Sequence, residues 1–516
     1  MQRPAVVRYV GLAGSLLLAV AAYLGGARSP WHPTITPTTI FRGDNGVVLP
    51  VAWLLGMVLL LGAWVVGGRS VPSARWAYVT VGLWALPLLF FLPLGSYDVY
   101  SYACQGWQQA AGLDPYAGGV DLVGCPWRDA VAPTWHSSPA PYGPVFLVLA
   151  AAAAKLGGSL TGTVAGLRVV ALLGVALIGL GLPSLARRSG VPLGRAVWLA
   201  LACPLVAIHL ISGAHNDAVM VGFVVVALAL AADRRFLLAG VVFGLAVGVK
   251  ATAIVVVPFA VLLAVRPAAE AVAAAAGSRS RLWTPPEKRH TRLVDSAPPR
   301  TGWGWAGLLP VGPDDTLTAA RLRAGGQLLL GLAGVLVLVS LFSGRGLGWI
   351  TGLEGSSVSV QWTSPSTAVG MAIGLAGPDA VPVTRLLGIA ALAVVLVWLW
   401  LRARKGEPLL YAGLALAATV VLAPVFHPWY ATWPLAVLAA TVRRPTLWLV
   451  IPPAVAAALC LPDGYNVALA TKSQGAILMT VFLIVLIGKA LHDTKNRNSR
   501  VSRPDHDSDR LSRRDA

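Results

Sequence analysis

The sequence predicts an all-α membrane protein that crosses the bilayer many times. Hydrophobic residues make up 56% of the 516 residues and charged residues 12%, which is about half the charged share of a soluble domain. The mean hydropathy is +0.71. Apolar runs of about 18 residues recur along the chain, which is the length of a membrane-spanning helix. The alternating segments of about ten residues that form membrane barrels are absent from the sequence.

The positive charge is distributed as in a membrane protein. The formal net charge is +19, but lysine and arginine cluster in short segments between apolar runs and in the C-terminal tail. Cytoplasmic loops carry such clusters, which orient the helices. We therefore expect no nucleic-acid partner. We expect a multi-pass protein of the plasma membrane, surrounded by lipid, with both termini in the cytoplasm.

The first apolar runs carry the chain to the outer face. Arg3 and Arg8 precede the run 9–26 and place the N-terminus inside. No clear cleavage site follows, so this run predicts a retained helix and not a signal peptide. The runs 47–67 and 76–94 then cross inward and outward again.

A large outer loop follows, over residues 95–166. Arg187 and Arg188 should lie inside, so the span 167–186 that ends there must begin outside. The apolar run Val145–Leu156 is therefore not a single crossing. It is short for one and predicts a half-helix at the outer surface.

The run from Phe236 to Val265 is ambiguous. Its length of about 30 residues permits two short crossings that turn near Lys250, with a broken or tilted helix pair. One long helix with Lys250 in mid-membrane is the competing interpretation.

The remaining runs complete a single membrane domain, 1–491, with about 14 crossings. Within it, 266–325 predicts a basic, flexible cytoplasmic insert, and 344–381 an outer loop with a second half-helix. Residues 492–516 predict a disordered cytoplasmic tail. The other predicted crossings are 195–212, 217–232, 326–343, 382–401, 408–425, 431–442, 446–461 and 475–491.

Polar side chains that are unusual for a membrane protein fall at the outer ends of several runs. Such groups are costly near lipid and usually face a cavity. Each also has a structural interpretation: a helix cap for Asp98 or His215, a helix-start anion for Asp217 and a snorkelling Lys250. An interfacial aromatic belt would explain the HPWY segment at 427–430. Their convergence on one face favours a site.

The residue types at this face suit transfer of a sugar from a lipid phosphate. The sequence has no phosphate-binding Gly-rich loop, dinucleotide fingerprint, H-E-x-x-H or serine elbow. Asp98 is the candidate general base for an acceptor hydroxyl. Lys250, His215 and His427 are candidates to bind the departing donor phosphate. A single base with direct displacement, through an oxocarbenium-like transition state, would invert the anomeric centre.

The cysteines divide into two pairs. Cys104 and Cys125 share the outer loop, where a disulfide is possible but not fixed by two spaced cysteines alone. Cys203 and Cys460 lie in apolar runs and predict small core residues.

Several short motifs, in order between about residues 76 and 440, resemble a known family. They are DVYSY with GLDPY, SPAPYGP (138–144), GAHNDA (213–218), GVKAT (248–252) and HPWY (427–430). The chain resembles the actinobacterial polyprenol-phosphate-mannose-dependent α-(1→6)-mannosyltransferases of the GT-C superfamily.

The resemblance implies a GT-C fold, a polyprenyl-phosphate-mannose donor, a lipid-anchored mannoside acceptor in lipomannan biosynthesis, and Asp98 as the acidic base. A paired-acid pattern, common in GT-C enzymes, is absent around Asp98, so we expect no metal and no cofactor. The expected substrate-binding residues are Tyr97, Tyr100, Asp114, Tyr116, Tyr142, Asn216, Asp217, Trp429 and Tyr430.

Two other functions are compatible with the residues. A related transferase could use another lipid-linked sugar, such as arabinose or glucose, and nothing in the sequence separates these donors. A glycolipid transporter is the third possibility, although transport usually requires charges near mid-membrane and repeated halves. The one-sided polarity and the lack of an evident repeat count against it.

Overall fold

The computed structural model describes residues 4–43, 46–264, 313–353, 355, 358–443 and 446–501. Within these ranges the chain is helical, and its one β feature is an isolated bridge between Cys460 and Asn466. Most of the predicted basic insert and the end of the tail lie outside the described residues.

The helices are joined by short connections, one-turn helices and 3-10 turns. They are α1 (Pro4–Gly25), α2 (Val48–Gly67), α3 (Ala74–Ala85), α4 (Asp98–Ala110), α5 (Pro144–Gly157), α6 (Leu160–Ser189), α7 (Leu193–Leu201), α8 (Asp217–Ala232), α9 (Phe236–Val249), α10 (Val257–Val261), α11 (Pro313–Phe342), α12 (Pro365–Gly374), α13 (Val381–Ala403), α14 (Pro408–Leu422), α15 (Thr432–Leu438), α16 (Leu447–Ala458) and α17 (Lys472–Val501).

Six of the described helices are long and apolar enough to cross a membrane: α1, α2, α6, α11, α13 and α17. A seventh span arises if α7 and the π-helix Val206–Ser212 count as one, although they are bent by 65°. The prediction of a polytopic helical membrane protein is thus confirmed. The predicted number of crossings is not reached by helix length alone, because several predicted runs fold as apolar helices of 10–17 residues.

Local sequence explains where the helices begin. Ser73 precedes α3 and its side chain accepts a hydrogen bond from the backbone N–H of Trp76 at 3.1 Å. Ser159 caps α6 in the same way through Gly162. Proline stands in the first turn of α5, α12 and α14, where its missing N–H costs no helical hydrogen bond.

The run 236–264 folds back on itself, as the two-crossing interpretation predicts. Lys250 has extended backbone angles, φ −149° and ψ 119°, and ends α9. The chain then returns through a 3-10 helix and α10, so that the Arg234 guanidinium, just before α9, hydrogen-bonds the carbonyl of Ala264. The alternative of one continuous helix is therefore wrong.

The predicted span 195–212 is broken in the middle. Pro204 follows α7, and a proline has no N–H with which to continue the helix. The carbonyl groups freed at such breaks need donors, because lipid offers none. Arg168 of α6 supplies one such donor at the far end of this run: its guanidinium donates to the carbonyl of Ser212, the last residue of the π-helix, at 3.2 Å. It also donates to the carbonyls of Leu89 at 2.8 Å and Phe91.

Close packing in the core depends on small residues. α6 and α8 meet at Gly174, where an added Cβ would lie 2.4 Å from the backbone of Ala218. Glycine allows this backbone approach, which is typical of helix pairs in membranes. The result is close packing of α6 against α8, and α8 in turn packs against α9.

Two predicted features can be compared directly with the helices. The half-helix at 145–156 is a short helix, α5, packed against α4 and α6; its position at the membrane surface stays a prediction. α17 continues to Val501, past the predicted start of the tail at 492. Residues 502–516 lie outside the described part of the chain.

Candidate active site

The polar residues of several distant segments meet at one cavity, which contains about 960 Å³ of empty space. Asp98 reaches it from the start of α4, and Tyr142 from the loop before α5. Lys250 reaches it from the break after α9, His427 from the loop after α14, and Trp433 from α15. The site is therefore assembled by tertiary folding and not by one motif.

Two of the sequence motifs contact each other directly beside this cavity. The backbone N–H of Gly143 donates to the carbonyl of Val249 at 3.1 Å. A Cβ on Gly143 would lie 2.3 Å from the carbonyl oxygen of Gly248. Only glycine allows this contact, and it brings Tyr142 beside Lys250.

Asp98 is the carboxylate of the cavity wall, with its side chain 15% exposed. It is the first residue of α4, and the N-cap is Tyr97, so the helix-cap interpretation of Asp98 is wrong. Its backbone N–H donates to the Ser96 hydroxyl at 3.1 Å, and Trp135 hydrogen-bonds its side chain. Burial, opposed in part by the charge of Lys250, raises the pKa of Asp98 to about 6. Asp98 is thus mostly ionised at neutral pH and basic enough to accept a proton.

Lys250 is held by the buried carboxylate of Asp217. Its Nζ lies 2.8 Å from Oδ1 of Asp217, which also accepts a hydrogen bond from Trp433 Nε1 at 2.7 Å. The ammonium lies over the rings of Tyr430, at 4.4 Å, and Trp433, at 5.0 Å, a cation–π arrangement. Lys250 is 13% exposed and Asp217 is fully buried. Lys250 therefore points into the cavity wall and does not snorkel, while Asp217 does not line the cavity.

A stack of rings forms another side of the cavity. His427 lies parallel to Trp429, with ring centroids 4.7 Å apart, and His215 stacks on Trp429 at 3.9 Å. His427 lines the cavity. Burial lowers the pKa of His427 to about 3, so its ring is neutral and can donate one N–H.

His215 lies behind the wall, fully buried, and does not line the cavity. Its Nδ1 is 3.2 Å from the hydroxyl of Tyr102 and 3.9 Å from Oδ2 of Asp98. Its neighbour Asn216 is 1% exposed. From this position His215 can support the side chain of Asp98 more readily than it can contact a phosphate in the cavity.

Four residues predicted to bind substrate make their contacts outside this cavity. Asp114 accepts the N–H of Tyr116 at 2.9 Å, and the Tyr116 hydroxyl donates to the carbonyl of Tyr142 at 2.8 Å. Tyr100 donates to the backbone carbonyl that follows α1. Tyr97 borders a different cavity. These four residues do not line the candidate site, whereas Tyr142, Trp429 and Tyr430 do.

Three aromatic residues of the site were not among the predicted site residues. Trp135, Trp433 and Tyr102 line the cavity, and the Tyr102 hydroxyl also lies 3.2 Å from Nδ1 of His215. Trp433 follows Trp429 by four residues, a spacing that places two side chains on the same face of a helix. That spacing was the available signal for Trp433.

The possible disulfide is present. Cys104 and Cys125 are bonded, with their Cα atoms 5.5 Å apart. Cys104 belongs to α4, the helix that Asp98 begins, so the bond ties this helix to the outer loop. Cys203 and Cys460 are free and buried, as predicted.

The chain matches two protein-family models. Residues 8–266 match the family model described as alpha-(1->6)-mannopyranosyltransferase, N-terminal domain, and residues 363–488 match that described as MptB C-terminal domain. No solved structure matches the chain.

Curated relatives match over most of their length. Alpha-(1->6)-mannopyranosyltransferase A of Mycobacterium tuberculosis is 32% identical over 451 residues, covering 83% of this chain and 79% of the relative. Alpha-(1->6)-mannopyranosyltransferase B of Corynebacterium glutamicum is 30% identical over 492 residues, covering 86% and 74%. The chain therefore belongs to the alpha-(1->6)-mannopyranosyltransferase family and is a glycosyltransferase.

Proposed function

We propose that the chain transfers mannose from polyprenyl-phosphate-mannose to a lipid-anchored α-(1→6)-mannan acceptor, with inversion, at the outer face of the plasma membrane. The observation that carries this proposal is the shared cavity of Asp98 and Lys250. Asp98 supplies a base for the incoming hydroxyl of the acceptor, and Lys250 supplies a cation for the departing phosphate. The names of the relatives support mannose as the sugar and α-(1→6) as the linkage.

The proposed step is a direct displacement. Asp98 removes the proton from the acceptor 6-hydroxyl. That oxygen forms a bond to the anomeric carbon of mannose while the bond from this carbon to the phosphate oxygen breaks. The electron pair leaves with the polyprenyl phosphate. Because inversion must give an α product, the donor mannose would be β-linked.

Lys250 retains the capacity to bind phosphate despite its ion pair. An ammonium has three N–H donors, of which one is directed at Asp217. Another N–H can donate to a phosphate oxygen that enters the cavity. His427 can add one neutral N–H, so Lys250 is the principal electrostatic stabiliser of the leaving group.

The aromatic groups of the cavity suit the remaining parts of the substrates. Tyr142, Trp429 and Tyr430 present ring surfaces beside the two catalytic charges. Ligand sites combine such apolar walls with a few polar groups that fix orientation. We assign these rings to the sugar and to the first apolar units of the donor lipid.

The outer-face location is supported by two independent features. The Lys/Arg bias of the sequence places the 95–166 segment outside, and the Cys104–Cys125 disulfide lies in that segment. Disulfides persist in oxidising compartments. The GT-C fold, about 14 crossings, cytoplasmic termini and independence from metal remain parts of this proposal.

A donor and acceptor assay tests the function directly. Membranes containing the chain are given labelled polyprenyl-phosphate-mannose and a soluble α-mannoside, and the product linkage is analysed. We expect a new α-(1→6)-linked mannose, absent with membranes that lack the chain. If the membranes transferred sugar from a lipid-linked arabinose or glucose but not from polyprenyl-phosphate-mannose, the proposed donor would be rejected.

The pH dependence should follow Asp98. A base works only when ionised, and burial raises its pKa to about 6, so the transfer rate should fall as the pH drops through about 6. The fall should follow one proton, tenfold per pH unit well below the pKa. Rates measured between pH 4.5 and 8, with the fold monitored by circular dichroism, check this. A transfer rate that stays constant as the pH falls below about 6 would contradict the role of Asp98.

A further inference from the structure

A second cavity lies on the other side of the loop that carries Asp98. It contains about 1040 Å³ of empty space, between the end of α1, the 27–43 segment, the start of α2 and the 460s loop. Tyr97 borders this cavity, whereas the next residue, Asp98, borders the candidate active site. Nothing in the proposed transfer step uses the second cavity.

The charged groups of this cavity are predominantly basic. Arg28, His32 and Arg42 border it, and all three are exposed. Among the described residues that border the cavity, the carboxylate is that of Asp463, which is 3% exposed. Its two oxygens accept backbone N–H groups, from Ile35 at 2.9 Å and from Tyr465 at 3.1 Å. The negative charge is thus compensated, and the wall presents guanidinium groups, which match phosphate geometry well.

The segments that line the cavity also expose apolar side chains. Phe41, Val47, Val48 and Val51 are 54–71% exposed, and they lie close in the chain to the lining residues Ile40, Gly46 and Leu49. We call these four side chains the apolar rim; two of them, Val48 and Val51, belong to the first turn of α2, a candidate span. Basic groups beside an exposed apolar rim at a helix end are the pattern that attracts the head group of an anionic lipid.

Hydrogen bonds connect the second cavity to the loop that carries Asp98. The hydroxyl of Tyr97 accepts the backbone N–H of Arg28 at 3.3 Å. On the other side, the N–H of Gly95 donates to the carbonyl of Pro462, next to Asp463, at 3.0 Å. A ligand in the cavity would therefore touch segments that hold the start of α4.

We propose that this cavity binds the phosphate-bearing head group of an anionic membrane lipid. The arginines contact the phosphate, and the apolar rim contacts the first carbons of the acyl chains. The site is distinct from the donor site at Lys250, and its binding can be measured without any sugar transfer. The proposal therefore stands or falls separately from the proposed function.

The test uses the purified full chain in neutral detergent. Short-chain phosphatidylglycerol is titrated below its micelle concentration, and inorganic phosphate is titrated in parallel. The wild type should bind the lipid at least about tenfold more tightly than free phosphate. Arg42→Gln should weaken lipid binding by about tenfold or more, since it removes a charge-assisted contact.

Arg42 is chosen because Arg28 also donates to the carbonyls of Tyr23 and Leu24 at the end of α1, so its loss would disturb the fold. His32→Gln is a second variant of the same wall. The matched control is Arg69→Gln, an exposed arginine just beyond α2 that does not border this cavity. Equal lipid binding by the Arg42 and Arg69 variants, or equal affinity for lipid and inorganic phosphate, would overturn the proposal.

Discussion

Replacing Asp98 with asparagine is expected to lower mannosyl transfer by about 10²–10⁴-fold, the range for loss of a general base. Asparagine has nearly the same shape as aspartate, so the start of α4 and the cavity should be preserved. Its amide cannot accept the proton of the acceptor hydroxyl. The measurement is the initial rate of transfer from labelled donor at saturating donor and acceptor.

The matched control for this variant is Asp129→Asn in the same outer segment. Asp129 is 81% exposed and pairs only at 3.4 Å with Arg128, so its replacement should leave the rate unchanged. Both variants should elute from size exclusion like the wild type. A wild-type rate for Asp98→Asn would remove Asp98 from the mechanism.

Lys250→Gln should lower the rate by about 10²–10³-fold, as does the loss of one preorganised group that stabilises developing charge. The effect should fall mainly on kcat, because the phosphate gains negative charge as it leaves. Lys155→Gln is the control, since Lys155 is an exposed lysine of α5 remote from this cavity. Rates at varied donor concentration separate kcat from KM.

A complication is that Lys250→Gln leaves Asp217 buried without its partner. Breaking a buried ion pair in this way costs about 3–5 kcal/mol of stability. The double variant Lys250→Gln with Asp217→Asn removes both charges and should recover the thermal stability but not the transfer rate. Recovery of the rate as well would show that Lys250 only supports the fold.

The sequence allowed the charged centre of the site to be predicted. Asp98, Lys250 and His427 are polar residues at the ends of apolar runs, and the cost of exposing such groups to lipid drives them into a cavity. The fold-back at Lys250 was one of the two interpretations of a run that is long for one crossing and flanked by basic segments. These inferences need only local composition and bilayer thickness.

The remaining features depend on contacts that no local pattern reveals. Trp433 is a site residue because it donates to Asp217, which is 216 positions earlier. Tyr100 lies two residues after Asp98 in α4 but has another partner, since successive residues of a helix face different directions. Tyr116 lies beyond the end of α4, and its hydroxyl donates to the carbonyl of Tyr142. Choosing residues by their nearness to Asp98 in sequence therefore selected residues that do not line the cavity.

Helix breaks account for the difference in the number of spans. The predicted run 195–212 has the composition of one crossing, but Pro204 and the π-helix divide it. The carbonyl of Ser212, at the end of the π-helix, accepts a hydrogen bond from Arg168, which lies in a different helix. Hydropathy alone does not contain that information.

The ion pair of Lys250 and Asp217 also determines how the site responds to an incoming anion. Since these two charges cancel, the wall retains the negative charge of Asp98. A phosphodiester placed nearby adds a second anion, and like charges disfavour ionisation of a carboxylate. Loading the proposed donor would therefore raise the pKa of Asp98, and departure of the lipid phosphate would lower it again.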